Sequence, residues 1–473
     1  MSDLELQGSW NMSILSWSAF KDMYKEGRDC NPMFLEFKGG QSYYYQFPDS
    51  LGKLKRGVYE KIVENPRWFE ERVGYYETQF EFSKEKLRKL NSELGKNADL
   101  PSIFKEYWLI FSNSIFGMAI DVYFDDIVAN DLLTVLKTEL AKRGANNRFA
   151  EYYSILTAPN EPTTTLKEEL AFLEIVSRAK DLDAAEIDRL LENHLETYAF
   201  VPCWFDNPPW SIDDLKNRLR VELTQNYMVK LQTVRNNVEL QNHRTNEIMD
   251  ELLFNSETRN IIGRLKKFSY IRQEGEVQIG YNNHAGLGLK NAIAGKLRIS
   301  LEDLKFLTPD EIAHYLSAGE SPENLVAERK KRAFMILKDG ECLVYSDRAA
   351  EEALAKLSIS VKPERETKTE ELSAMVGNPG YAEGYARIVH GFDEVSKLNR
   401  GDILVVSGLS VEYIDAIKKA AAVIAEYGGI TSHAAVMCRE FQKPCLIRLK
   451  DATKILRDGE FIRVDANTGI VKR

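Results

Sequence analysis

The sequence predicts a multidomain chain: a mainly α-helical body over residues 1–360, followed by a smaller C-terminal α/β domain over 376–473. Three observations carry this. From about residue 50 to 270, apolar residues recur at spacings of three and four, the period of helices with one buried face. Near residue 420 the pattern changes to an unbroken apolar run, residues 420–425 (AAAVIA), of the kind a buried strand makes. Between them, residues 361–375 (VKPERETKTEELSAM) are charged and lack an apolar period, which makes them the natural linker.

Taken in order, residues 33–47 (MFLEFKGGQSYYYQF) alternate apolar and polar on either side of Gly39-Gly40. They predict a two-residue hairpin that packs Tyr43, Tyr45 and Phe47 into a core. The pieces KEKLRKLNSEL, DLLTVLKTELAKR, KEELAFLEIVSRAK, AAEIDRLLENHLETY and the stretch 213–268 then predict an all-α body. Residues 199–210 (AFVPCWFDNPPW), with three prolines and two tryptophans, interrupt it as a loop packed on the helices. Over 271–345 the signal is mixed. Gly286-Leu287-Gly288 and Ala294-Gly295-Lys296 do not assemble into GxxxxGK[ST], because the position five before Gly295 is Lys290, so no phosphate loop is expected there.

With 473 residues, 44% of them hydrophobic, the chain is long enough for two or three domains with cores of their own. A net charge of −9 without a concentrated Lys/Arg block argues against nucleic acid or an anionic membrane as partner. The N-terminus (MSDLELQGSW) has no basic and apolar leader, and no apolar stretch approaches the roughly 20 residues a membrane span needs, so a cytoplasmic protein is expected. The five cysteines (30, 203, 342, 438, 445) form no CxxC pair and no metal-ligand spacing; no metal site and no bound organic cofactor are expected in this chain.

The chemistry concentrates in Glu426-Tyr427-Gly428-Gly429-Ile430-Thr431-Ser432-His433-Ala434-Ala435-Val436-Met437-Cys438-Arg439-Glu440. The apolar run stops at Gly428-Gly429, where tight backbone geometry is available that a Cβ would resist. Thr431 or Ser432 suits an N-cap, and residues 434–441 have the composition of a helix, so His433 falls in its first turn. There the helix dipole and free N–H groups favour a dianion and disfavour imidazolium, which keeps the ring neutral and nucleophilic. Gly428, Gly429, Thr431 and Ser432 would shape the turn and supply donors to phosphoryl oxygens. A strand, a glycine turn and a helix-opening histidine make a plausible phosphohistidine site.

This segment resembles the phosphohistidine, or swivelling, domain of the PEP-utilising enzymes, such as phosphoenolpyruvate synthase, pyruvate phosphate dikinase, PTS enzyme I and rifampicin phosphotransferase. Residues 428–435 match the signature around the phosphorylated histidine, and Arg439 falls on its terminal basic position. The resemblance extends over about a hundred residues. Upstream it takes in Gly377-Asn378-Pro379-Gly380, Gly384-Tyr385-Ala386-Arg387-Ile388-Val389 and Arg400-Gly401-Asp402-Ile403-Leu404-Val405; downstream, Lys443-Pro444-Cys445-Leu446-Ile447, Asp451-Ala452-Thr453 and residues 458–471, with Asp465 and Gly469 in the last hairpin. It implies that His433 is the nucleophile and phosphoryl carrier. Arg439 lies six residues along the helix, about 240° of rotation from His433, so a tertiary salt bridge and a phosphate contact are both open to it; Arg387 carries the same two readings. An acceptor-side base could be His284 or His314, which the sequence does not rank.

The resemblance further implies transfer in two steps, from ATP or phosphoenolpyruvate to His433 and then to a small-molecule acceptor, with a mobile domain visiting two pockets. A flexible linker of fifteen residues averages roughly 20 Å, enough for such a carrier. Residues 1–360 show neither the length nor the motifs of the family's nucleotide-binding domain, and the chain ends at Arg473 without its barrel domain. The expectation is therefore an acceptor-plus-carrier component, with ATP and Mg2+ held by a separate ATP-binding partner. Two alternatives stand beside it: a regulatory scaffold switched by phosphorylation, and a subunit of a split phosphoenolpyruvate synthase.

Overall fold

The computed structural model describes residues 4–10, 12–24, 32–38, 41–47, 67–95, 98–204, 207–338, 340–357, 371–409, 413–429 and 432–473. The chain divides into two compact units, 1–124 with 278–365, and 125–277 with 366–473. Residues 361–370 of the expected linker lie outside the described residues.

In the first unit, five strands, β1 (Glu5–Trp10), β2 (Met33–Lys38), β3 (Gln41–Gln46), β4 (Ala333–Lys338) and β5 (Glu341–Ser346), form an antiparallel sheet in the order β1-β3-β2-β4-β5. The predicted hairpin is β2–β3, and its turn residues Gly39 and Gly40 lie outside the described residues. The alternation expected for one buried face does not hold in β2, where Met33, Phe34, Leu35, Glu36 and Phe37 are all buried, so both faces of that strand are covered. Phe34 and Phe334 form a core with Leu4 and Ala350, and Tyr45 and Phe47 pack against it. Tyr43 is half-buried, with the Lys38 ammonium 5.0 Å from its ring centre. The mixed signal after residue 271 resolves into helices up to Lys331 and then β4 and β5. Within the basic run at 328–332, Arg329 is buried and forks onto Glu311.

The second unit joins a helical layer to the C-terminal α/β domain. The periodic segments are helical: Thr164–Arg178 takes in most of KEELAFLEIVSRAK, while the stretch 213–268 is divided among the helices Ile212–Leu223, Tyr227–Glu251 and Ser256–Ala285. Thr163 and Ser211 cap two of these helices by accepting from the backbone. Phe172, Ile175, Val176, Leu191, Leu215 and Leu219 form one of their cores, with Tyr227 packed against it. The loop 199–210 packs as expected: Val201 and Cys203 are buried, and Trp210 N donates to Ala199 O.

The C-terminal sheet has eight strands, β6 (Glu371–Ser373), β7 (Met375–Asn378), β8 (Tyr381–Val389), β9 (Ile403–Val406), β10 (Ala422–Ala425), β11 (Cys445–Ile447), β12 (Phe461–Asp465) and β13 (Ile470–Lys472), in the order β6-β13-β12-β8-β9-β10-β11-β7. The run from β8 to β11 is parallel. All four residues of both β9 and β10 are buried, which is why their sequences are continuous apolar runs rather than alternating ones. Strand β8 pairs with β12 through residues 381–385 and with β9 through 386–389. Gly384 stands at this hand-over, where a Cβ would come within 2.4 Å of Gly401 O. The α/β architecture expected for this region is what the structure shows.

Candidate functional site

At the end of β10 the chain turns through Gly428, whose φ of +122° suits glycine alone and where a Cβ would lie 2.8 Å from Ser432 Oγ. Glu426 anchors this turn by accepting from Thr453 N and Oγ1. Gly429 contributes its carbonyl to Ser432 N. Ser432 is the N-cap, its Oγ accepting from Ala435 N, and His433 opens the helix His433–Glu440. Thr431 lies outside the described residues.

His433 is buried, 2% exposed, but its surroundings are polar. Its Nδ1 is 2.6 Å from Gln273 Oε1 and 3.1 Å from Glu276 Oε2, both on the helix Ser256–Ala285. Two oxygen atoms facing Nδ1 favour the tautomer in which Nδ1 carries the proton and donates it to Gln273. Nε2 then holds the lone pair, and it makes no hydrogen bond with any described residue. Burial, with a contribution from Arg272, draws the imidazole down to about 3, so the ring is neutral at physiological pH. Burial pushes the Glu276 carboxyl up to about 7, against a lowering pull from Arg272.

Sequence reasoning missed Arg272, Gln273 and Glu276. The spacing of one and four puts them near one another on a helix, and polar residues on an otherwise buried stripe were the available signal. Arg439, for which a tertiary salt bridge and a phosphate contact were both open, is buried against strand β7, its Nε donating to Gly377 O. Arg387 makes ion pairs with Asp402 and Asp458, each 3.2 Å, which favours the tertiary salt bridge of its two readings. His194 pairs with Glu168 in the core.

The contacts around the helix His433–Glu440 tie the C-terminal domain to the helical layer. Thr163 Oγ1 donates to Glu440 Oε1 at 2.7 Å, and burial pushes the Glu440 carboxyl up to about 8. Ser154 Oγ donates to Asn378 Oδ1, while Asn378 Nδ2 donates to Lys443 O. Lys266, buried near Arg439, is drawn down to about 7, chiefly by burial. Deeper still, Lys418 reaches Glu169 at 2.5 Å, and Arg218 pairs with both Glu168 and Glu169. Burial alone would raise these carboxyls, but the cations hold Glu168 down to about 2 and Glu169 well below the usual range.

Among the described residues, no group of three or more His, Cys, Asp or Glu side chains is placed to hold a metal ion, and no helix is long and apolar enough to cross a membrane. Residues 398–469 match the family model described as PEP-utilising enzyme, mobile domain. The chain is 39% identical over 100 residues to a probable phosphoenolpyruvate synthase of Archaeoglobus fulgidus, an alignment covering 21% of this chain and 13% of that protein. It is 27% identical over 211 residues to the probable phosphoenolpyruvate synthase of Methanothermobacter thermautotrophicus, covering 44% and 29%. With an uncharacterized phosphotransferase, YvkC, of Bacillus subtilis, identity is 31% over 171 residues, covering 36% and 20%. The chain thus spans less than a third of the length of these relatives.

Proposed function

We propose that this chain, whose residues 398–469 match the mobile-domain model of PEP-utilising enzymes, is a phosphotransferase component in which His433 accepts a phosphoryl group and passes it to a small-molecule acceptor. The observation that carries the reading is the imidazole itself: neutral, at the first position of a helix, with Nδ1 engaged and Nε2 left with its lone pair.

In the loading step Nε2 attacks the phosphorus of the donor, an N–P bond forms, and the P–O bond to the leaving group breaks with its electron pair. The proton on Nδ1 stays where Gln273 Oε1 accepts it when the domain is docked, and the ring carries a positive charge that offsets the phosphoryl dianion. In the delivery step an acceptor hydroxyl attacks the phosphorus, its proton leaves to a base, and the N–P electron pair returns to Nε2. With His433 2% exposed, the docked arrangement shields the ring from water. Loading from an external donor requires the C-terminal domain to leave the helix Ser256–Ala285. Gly428, Gly429, Thr431 and Ser432 are proposed to cradle the phosphoryl oxygens, and Arg439 to brace the carrier helix on β7 beneath them.

The donor half-reaction is proposed to use ATP and Mg2+ on a separate ATP-binding component, since the relatives extend far beyond the matched segment. The test is to incubate the purified chain with labelled ATP and that component, or with labelled phosphoenolpyruvate, and to map the label. An acid-labile, base-stable phosphate on residue 433, absent from a folded His433→Ala chain, is the expected result. Label on another residue, or label retained in His433→Ala, would overturn the assignment. ATP-dependent transfer by the chain alone would overturn the separate donor.

A further inference from the structure

At the end of the carrier helix remote from His433, a cavity of about 840 Å3 lies between the helices Ile212–Leu223 and Tyr227–Glu251 and the C-terminal domain. Its floor is cationic. Arg400, Lys419 and Lys443 all line it, yet none of them pairs with a carboxylate among the described residues. Arg400 donates to the neutral amide oxygen of Gln225, and Lys443 to the backbone oxygen of Ala420. Burial draws the Lys443 ammonium down to about 8, and Arg400 and Lys230 add to it by repulsion, so these cations face one space. Of the acidic groups around the cavity, Glu440 accepts from Thr163 and burial pushes its carboxyl up to about 8, which weakens it as a counter-charge at neutral pH, and three others are engaged by neighbours. Glu222 is held by Lys230 at 2.7 Å, Asp214 bonds to Ser211 as part of a helix cap, and Asp415 lies in the field of Arg218. The lining also carries apolar surface: Val221 and Val229 are 51% and 58% exposed, and Phe441 lines the cavity with them.

Like charges gathered around a partly buried space are costly unless a counter-charge enters it, and apolar surface in the same lining favours a ligand with a hydrophobic body. We propose that this cavity binds a phosphate-bearing small molecule with an apolar or aromatic body, its phosphate among Arg400, Lys419 and Lys443 and its body against Val221, Val229 and Phe441. The site is separate from the carrier histidine: eight residues of helix put Phe441 about 12 Å along the axis from His433. Its phosphate-binding cations belong to the C-terminal domain, whereas Val221 and Val229 belong to the helical layer. Occupancy therefore favours the docked arrangement by whatever free energy the ligand gains from touching both sides. This makes the molecule an effector of the carrier cycle rather than its substrate.

The experiment is calorimetric titration of the full chain with 1-naphthyl phosphate, with inorganic phosphate and 1-naphthol as separate arms, in both the native and the His433→Ala background. Saturable one-to-one binding of 1-naphthyl phosphate is expected in both backgrounds, weaker binding of inorganic phosphate, and none of 1-naphthol. Arg400→Ala and the exposed Lys419→Glu, each checked for fold by circular dichroism, should lower the affinity at least tenfold. Absence of saturable binding in the millimolar range overturns the proposal, as does affinity unchanged in both variants. Binding lost in His433→Ala also overturns it, because the ligand would then sit at the carrier ring. Binding retained in His433→Ala supports it even if phosphorylation of residue 433 is never observed, so the two readings fail separately.

Discussion

His433 titrates near 6.5 as a free ring and at about 3 where it is buried beside Arg272. Its docked form binds fewer protons across that interval, so its contribution to docking is full above 6.5 and is lost as pH falls toward 3. Glu276 has the opposite sign. Its carboxyl rises from 4.5 to about 7, so its contribution is full below 4.5 and is lost as pH rises through 7. Glu276→Gln should therefore abolish its share of the loss of docking on the alkaline side and leave the acid-side loss intact. Hydrogen-exchange protection around Gln273, followed from about pH 5 to 8 and corrected for intrinsic rates, reads this. Gln273→Ala removes the acceptor of the Nδ1 proton, an interaction worth about 1 kcal/mol. Discharge of phosphohistidine to the acceptor should slow about fivefold, while loading, which starts from the undocked domain, is not slowed, as measured by rapid quench of each half-reaction. Equal slowing of both steps would remove Gln273 from the delivery geometry.

The carrier helix is short, so its first turn matters out of proportion to its length. Ser432→Ala deletes the cap bond to Ala435 N and should cost about 1 kcal/mol, visible as a lower denaturant midpoint at unchanged slope. Ser432→Asp preserves a capping oxygen but sets a carboxylate beside the phosphoryl group. It should keep the midpoint and lower the extent of His433 phosphorylation. Gly428→Ala meets both a φ of +122° and Ser432 Oγ at 2.8 Å, so its destabilisation should exceed that of Ser432→Ala in the same measurement. A milder effect would mean that the turn relaxes without disturbing the cap.

Across the second unit, docking rests on a buried charge cluster as well as on hydrogen bonds. Lys418 belongs to the helix Ile414–Lys419 of the C-terminal domain, and Glu168 and Glu169 to the helix Thr164–Arg178. Arg218 and Lys230 still pair with Glu169 when Lys418 is removed, so the cost falls below the roughly 3–5 kcal/mol of a buried carboxylate left wholly without a partner. Lys418→Ala should therefore loosen the C-terminal domain from the helical layer, raising hydrogen exchange along Thr164–Arg178 and speeding loading of His433. A variant that loosened the domain but loaded more slowly would argue that the docked arrangement is itself the loading state.

How much of this was legible in the sequence differs by element. The strand, turn and helix around His433 were readable because a continuous apolar run, a glycine pair and a capping serine are local signals, and the helical body was readable because amphipathic periodicity is local too. The hairpin at β2–β3 was readable, but its place within five strands was not, since β1, β4 and β5 join it across long separations in the chain. Arg272, Gln273 and Glu276 read as ordinary helix residues until folding sets them against an imidazole 160 residues away in sequence, where burial and a guanidinium decide its protonation. Sequence alone determined that a histidine opens a helix after a glycine turn, because backbone conformation and capping depend on near neighbours. Tertiary structure alone decided which ring nitrogen is engaged and how its charge is set, because those depend on distance and dielectric, which the order of residues does not specify.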